Sequence, residues 1–174
     1  MKFHILMLAT LMNTLLGTAN AGEGAKVDYA APAVSGVNHD GATVKFADVY
    51  AKGPTVVFFY PKADTPGCTK QACSLRDAFA DLSKDGGQVL GVSFDKPDAQ
   101  KKFKDKFTLP YDLIADPEGK IVEAFKVEKM LKGLFSLATR QCFLIKSGKV
   151  VWHDAKASTD QQAADIKRVL GELK

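Results

Sequence analysis

Thr55-Val56-Val57-Phe58-Phe59-Tyr60 is a run of β-branched and aromatic side chains with no polar face. Such a run is stable only as a strand covered on both sides, which demands a sheet between two layers. The chain downstream supplies the layers by alternation. After Pro61, a helix is predicted from Pro66-Gly67 to about Lys84, where Asp85-Gly86-Gly87 ends it. Residues 89–94 form a second buried strand, Pro97 opens a helix with Phe103 and Phe107 one turn apart, and Leu113-Ile114-Ala115 is a short strand closed by Asp116-Pro117. Strands alternating with helices in this way specify an α/β protein, with βαβ units and helices on both faces of a central sheet.

The flanks make the sheet mixed. Asn38-His39-Asp40-Gly41 is a turn signal between residues 33–37 and 43–46, so a β-hairpin is expected to open the domain after a small, polar, flexible leader over residues 22–30. Residues 141–145 and 150–152 are strands joined across Ser147-Gly148, which makes them antiparallel. The last helix is expected to begin near Thr159, with Gln162 completing a capping box, and to bury Ile166, Val169, Leu170 and Leu173. Val127, Met130, Leu131 and Leu134 recur at helical spacing among Lys126, Lys129 and Lys132, which predicts an amphipathic helix, either simply solvated or serving as a partner or dimer surface.

The first residues read as an address. Lys2 precedes an apolar run over residues 5–16, and Ala19-Asn20-Ala21 offers small residues around a cleavage point, so a signal peptide over residues 1–21 is expected to be cut after Ala21. Asn13 and Thr14 interrupt a run already shorter than the ~20 apolar residues a membrane span needs. Residues 22–174 then make one domain, exported to a periplasm-like compartment without stable membrane association. The formal charge of +4 is spread among interspersed acids and bases, too weak a bias for a nucleic-acid partner. All three cysteines, Cys68, Cys73 and Cys142, lie beyond the leader, in a setting where disulfides form.

On the helix after Pro66, Ala72, Leu75, Phe79 and Leu82 make one core-facing stripe, with Cys68 at its top. Cys73 lies about 140° around the axis from Cys68, on the flank shared with Lys70, Asp77 and Lys84, and is expected to face water. The first turn of a helix leaves N–H groups unpaired and carries the positive end of the dipole, a setting that favours a thiolate at Cys68. Residues five apart in an intact helix have Cα atoms about 9 Å apart, beyond the ~7 Å a disulfide tolerates. Either the helix start unwinds to close a Cys68–Cys73 bond, or the two cysteines are unrelated; a permanent staple before a later helix is a further alternative. His39 and His153 have no ligand-like spacing to the cysteines, so no metal or other cofactor is called for.

Tyr60-Pro61-Lys62-Ala63-Asp64-Thr65-Pro66-Gly67-Cys68-Thr69 resembles the peroxiredoxin signature Pro-x-x-x-Thr-x-x-Cys, and Cys73 five residues on resembles the bacterioferritin-comigratory, or Q-type, branch. The likeness extends to Gly91-Val92-Ser93-Phe94-Asp95 and to Arg140-Gln141-Cys142-Phe143-Leu144-Ile145. It implies a thioredoxin-like fold and a peroxidase in which Cys68 attacks hydrogen peroxide or an organic hydroperoxide and Cys73 resolves the product as a disulfide. Thr65 would hold the thiolate and peroxide oxygen, Pro61 would shield the thiolate, and Arg140 would stabilise charge. A thioredoxin-like protein would restore the dithiol, and a monomer suffices for resolution within one chain. Gln71 stands where such proteins commonly carry Glu, and Cys142 where they commonly carry Thr; Cys142 is expected to be a buried apolar side chain. The alternatives are a thioredoxin-like disulfide exchanger, which would normally show Cys-x-x-Cys, and a copper-carrying module using His153.

Overall fold

The apolar run at residues 55–60 becomes the centre of the sheet. In the computed structural model, which describes residues 24–132 and 135–173, the chain forms β1 (Ala25–Ala30), β2 (Ser35–Asn38), β3 (Thr43–Lys45), α1 (Phe46–Tyr50), β4 (Thr55–Phe59), α2 (Pro66–Leu82) and β5 (Gln88–Ser93). There follow α3 (Pro97–Phe107), β6 (Asp112–Ala115), α4 (Lys120–Ala124), β7 (Lys129–Lys132), β8 (Phe135–Ala138), β9 (Gln141–Lys146), β10 (Lys149–Asp154) and α5 (Gln162–Glu172). The main sheet has the order β1-β10-β9-β4-β5-β6-β2-β3, and β7 pairs with β8 in a separate hairpin. Strands β4, β5 and β6 are parallel, whereas β9 runs antiparallel to β4 with Phe59 opposite Gln141.

Alternation along β4 splits the core in two. Val56, Phe58 and Tyr60 point into one layer with Leu75, Phe103, Trp152, Ile166 and Val169. Val57 and Phe59 point into the other with Phe46, Ile121, Phe125 and Phe143. The mixed sheet with helices on both faces is therefore as expected, and so are the β2–β3 hairpin and the antiparallel β9–β10 pair. Ser147 and Gly148 both adopt positive φ, 52° and 73°, the conformation a two-residue hairpin turn requires. Helix α2 tightens through a 3₁₀ turn at Ser83–Asp85 and stops at Gly86, φ 76°.

Three expectations are corrected. Residues 25–30 are not a flexible leader: β1 forms an edge of the sheet by main-chain pairing with β10, and its largely exposed side chains give no hydrophobic signal. The segment with Met130 and Leu131 is a hairpin strand, because Lys126 turns left-handed at φ 54° and ends the short α4 before a further helical turn can form. The last helix begins at Gln162 without a side-chain cap. Ser158 Oγ instead receives the N–H groups of Asp160 and Gln161 at 3.2 and 3.0 Å, so a serine turn occupies the expected first turn. The expected signal peptide over residues 1–21, and Leu134, lie outside the described residues.

Candidate active site

Parallel strands deliver their loops to one edge of the sheet, and that edge is where α/β proteins place their chemistry. Here β4 ends at Phe59, Tyr60 N–H still reaches Val92 O at 3.1 Å, and the chain then leaves the sheet at Pro61. The loop to α2 is pinned from β5: Ala63 N–H donates to Asp95 Oδ2 at 2.7 Å. Asp64 takes a left-handed φ of 57° and receives Lys106 Nζ on both carboxylate oxygens at 2.9 Å. Thr65 occupies the N-cap position before Pro66, as its sequence context suggests, yet its hydroxyl does not cap. It donates to Lys62 O at 3.0 Å, so its oxygen keeps lone pairs that can accept a further hydrogen bond.

Cys68 is the third residue of α2 and is 2 % exposed. Because β9 runs against β4, its N-terminal end lies beside the C-terminal end of β4, and Arg140 just before it reaches over Gly67 to the cysteine. Arg140 Nη2 donates to Cys68 Sγ at 3.5 Å. A Cβ at residue 67 would come within 3.3 Å of that Nη2, so glycine leaves room for the guanidinium. Arg140 Nη1 donates to Gln71 Oε1, and Gln71 Nε2 donates to Gln162 Oε1 at 2.6 Å. A fixed cation and the positive end of a helix thus converge on one sulfur, a setting in which negative charge developing at the sulfur or beyond it can be met.

Cys73 lies further along α2 and is half-buried, less open than its helical position suggests. All three cysteines are free thiols, and α2 is continuous through both Cys68 and Cys73. Beside the loop, a cavity of about 660 Å³ is lined by Pro61, Lys62, Thr65, Phe94, Met130 and Leu137, among others. The β7–β8 hairpin supplies one wall of it. Pro61 and Thr65 therefore sit at the junction between this cavity and the start of α2.

A family model described as AhpC/TSA matches residues 27–153, which include this loop, both cysteines of α2 and Arg140. The chain belongs to the AhpC/TSA family. Among its relatives there, it is 36 % identical over 137 residues to peroxiredoxin Bcp of Bacillus subtilis, covering 76 % of this chain and 87 % of that protein. Identity to chloroplastic peroxiredoxin Q of Populus jackii is 36 % over 143 residues, covering 82 % and 63 %. Identity to peroxiredoxin bcp1 of Schizosaccharomyces pombe is 43 % over 98 residues, covering 56 % and 50 %. The chain thus spans only about half to two thirds of the length of the fungal and plant relatives. The solved structure of peroxidoxin BcpB from Mycobacterium tuberculosis aligns with TM-score 0.77 and 28 % identity, covering 86 % of this chain and 98 % of that one. A variant of Xanthomonas campestris peroxiredoxin Q shares the fold at TM-score 0.76 and 23 % identity, covering 86 % and 99 %. The family fold is thioredoxin-like, as the resemblance implies.

In this AhpC/TSA chain the remaining candidates separate by position. Cys142, fully buried on β9, packs in the same core layer as Cys68, and burial pushes its thiol pKa far up, so it behaves as an apolar filler. His153 on β10 stacks on Phe143 with centroids 4.2 Å apart and sets Nε2 2.8 Å from Gln141 Oε1. Among the described residues no group of three or more His, Cys, Asp or Glu is arranged to hold a metal. Two polar residues beside the cysteine are fully enclosed: Gln71, marked in the sequence only as a replacement for the usual Glu, and Gln162, expected only as part of a helix cap. Gln71 lies on the same helical stripe as Cys68, Ala72 and Leu75, which was the available signal for the first of them.

Proposed function

We propose that the chain is a thiol-dependent peroxidase acting on hydrogen peroxide and organic hydroperoxides. The observation that carries this is the Arg140 Nη2 contact to Cys68 Sγ at the start of α2. A Cys68 thiolate attacks one peroxide oxygen, forming an S–O bond as the O–O bond breaks; the departing hydroxide or alkoxide takes a proton and leaves as water or alcohol. Arg140 cannot deprotonate, so its charge stays fixed while negative charge moves from sulfur to the leaving oxygen. Thr65, with its hydroxyl oxygen able to accept a further hydrogen bond, holds the peroxide, and Pro61 keeps bulk water from the sulfur. The mixed lining of the adjoining cavity, apolar at Phe94, Met130 and Leu137, suits an organic hydroperoxide as well as hydrogen peroxide. A Xanthomonas campestris bacterioferritin comigratory protein of the same fold is known for alkyl peroxide reduction activity.

Cys73 then condenses with the Cys68 sulfenic acid, releasing water and closing a disulfide, and a thioredoxin-like dithiol reduces it by exchange. No metal or other cofactor takes part. The leader over residues 1–21 directs export, residues 22–174 act as a monomeric domain in the periplasm, and the role is antioxidant defence. Stopped-flow consumption of hydrogen peroxide by the reduced protein tests the cycle. Cys68→Ser abolishes rapid consumption, whereas Cys73→Ser completes one fast turnover and stalls as sulfenic acid. Undiminished consumption by Cys68→Ser would remove the basis of the assignment, and a Cys68–Cys142 linkage in the oxidised protein would remove Cys73 as its partner.

A further inference from the structure

The two buried glutamines have an orientation fixed by their neighbour. Arg140 has only donors, so Gln71 must turn its oxygen to Arg140 and its nitrogen away. That nitrogen needs an acceptor, and Gln162 Oε1 supplies it at 2.6 Å. Gln162 is the first residue of α5, held by the Ser158 turn before it, and is fully buried. Among the described residues its own Nε2 has no acceptor at ordinary hydrogen-bond distance, and its amide bears on the buried Cys142 thiol. Nearby, Lys70 Nζ and Asp160 Oδ2 meet at 2.8 Å, and Ala157 N–H donates to Arg140 O at 3.1 Å. The start of α5, the second turn of α2 and the residue before β9 are thereby tied at one place.

From this arrangement we infer that Gln162 is a positioning residue: through Gln71 it holds Arg140 against Cys68, and by the same bond it clamps the part of α2 that must unwind for Cys73 to reach Cys68. The inference rests on the peroxidase reading above. It makes one bond act on two steps in opposite senses. With Gln162 in place, Arg140 is aimed at the sulfur and peroxide attack is fast, while α2 is held closed and resolution is slow. Without it, the Gln71 amide loses its acceptor and no longer presents a fixed oxygen to Arg140, and α2 opens more readily. A sulfenic acid that waits has two fates. Cys73 thiol can displace water from it to form the disulfide, or a second peroxide can oxidise it to sulfinic acid, the peroxide being reduced to water or alcohol. Gln162 therefore also sets the peroxide dose at which the protein is inactivated.

The test uses the full mature chain, with Cys68 oxidation followed by quenched-flow mass spectrometry and the disulfide-to-sulfinic ratio measured across a hydrogen peroxide titration. Gln162→Met, which keeps the volume and loses the acceptor, slows Cys68 oxidation about fivefold and raises the half-inactivating peroxide dose at least about fivefold, as loss of one buried hydrogen bond would. Gln162→Glu keeps an oxygen for Gln71 Nε2 and stays within about twofold of the parent in both. Should Gln162→Met fail to fold, Gln162→Asn, too short to reach Gln71, shows the same split. A folded Met or Asn variant that slows both steps together, or changes neither, overturns the role of Gln162. So does a Gln162→Glu variant that matches Gln162→Met. A parent chain whose Cys68 does not react with peroxide would instead overturn the peroxidase reading itself.

Discussion

Asp95 holds the loop that carries Pro61 and Thr65, and its removal has a magnitude that follows from the bonds it makes. Its Oδ2 accepts both the Ala63 N–H and the Ser93 hydroxyl, each at 2.7 Å. Ser93 Oγ in turn accepts Gln100 Nε2 at 2.9 Å, and Gln100 Oε1 takes the buried Tyr60 hydroxyl, so the loop is joined to the core by one polar chain. A hydrogen bond to a charged group contributes about 1.5–3 kcal/mol. Asp95 is half-exposed, so water recovers part of each loss, and the lower end applied to both bonds gives about 3 kcal/mol for Asp95→Ala. Asp95→Asn keeps an oxygen that can accept both bonds without charge, which leaves a loss of about 1 kcal/mol. For a domain of this length the Tm should fall by about 10 °C and about 3 °C respectively. Urea unfolding of the reduced protein measures both losses at constant m, and peroxide oxidation of Cys68 should slow in the same order. Equal losses in the two variants, or a loss below about 0.5 kcal/mol in Asp95→Ala, would show that the loop is held by other contacts.

Two further outcomes follow from the same geometry. Arg140→Lys retains a charge but not the fork that serves Gln71 and Cys68 at once, so stopped-flow oxidation of Cys68 should slow about 10- to 100-fold; a rate within about twofold of the parent would mean that charge alone suffices. Burial lowers the His153 pKa below its ordinary value of 6.5, with Asp154 opposing. The unfolded imidazole therefore takes up a proton before the folded one as pH falls, and stability should decline below about pH 6.5. His153→Gln should flatten that decline in urea titrations between pH 7 and 5, and an unchanged slope would assign it to other groups.

Those elements that carry their own boundaries could be read from the chain. Pro66 and Gly86 bracket α2, Ser147-Gly148 turns β9 into β10, and the unbroken apolar face of β4 called for two covering layers that are present. What escaped depended on partners distant in sequence. Strand β1 is an edge held by backbone bonds to β10, and main-chain pairing leaves no mark on residue type. Val127, Met130 and Leu131 fit a helical spacing as well as a strand, and the left-handed Lys126 decides between them. At the site, Cys68 and Thr65 were legible because they lie in one short segment. The proximity of Arg140 was implied only by likeness to a family, since it depends on β9 running against β4. The bond between Gln71 and Gln162 was not legible, because hydrophobic patterning does not register a buried amide that meets another from a distant helix.

The first two turns of α2 are held by Gln71 to Arg140 and Gln162, and by Lys70 to Asp160, whose carboxyl the Lys70 ammonium holds down at about 2. In the proposed cycle those contacts exist in the dithiol form and are broken when Cys68 and Cys73 join. In that cycle every contact surrendered on oxidation would stabilise the reduced form and raise the reduction potential of the pair. For a two-electron couple, each ~1.4 kcal/mol surrendered in this way moves the potential upward by about 30 mV. In that cycle a partner of ordinary thioredoxin potential, about −270 mV, would reduce the disulfide, and the energy that peroxide supplies in opening the helix would be returned when the helix re-forms.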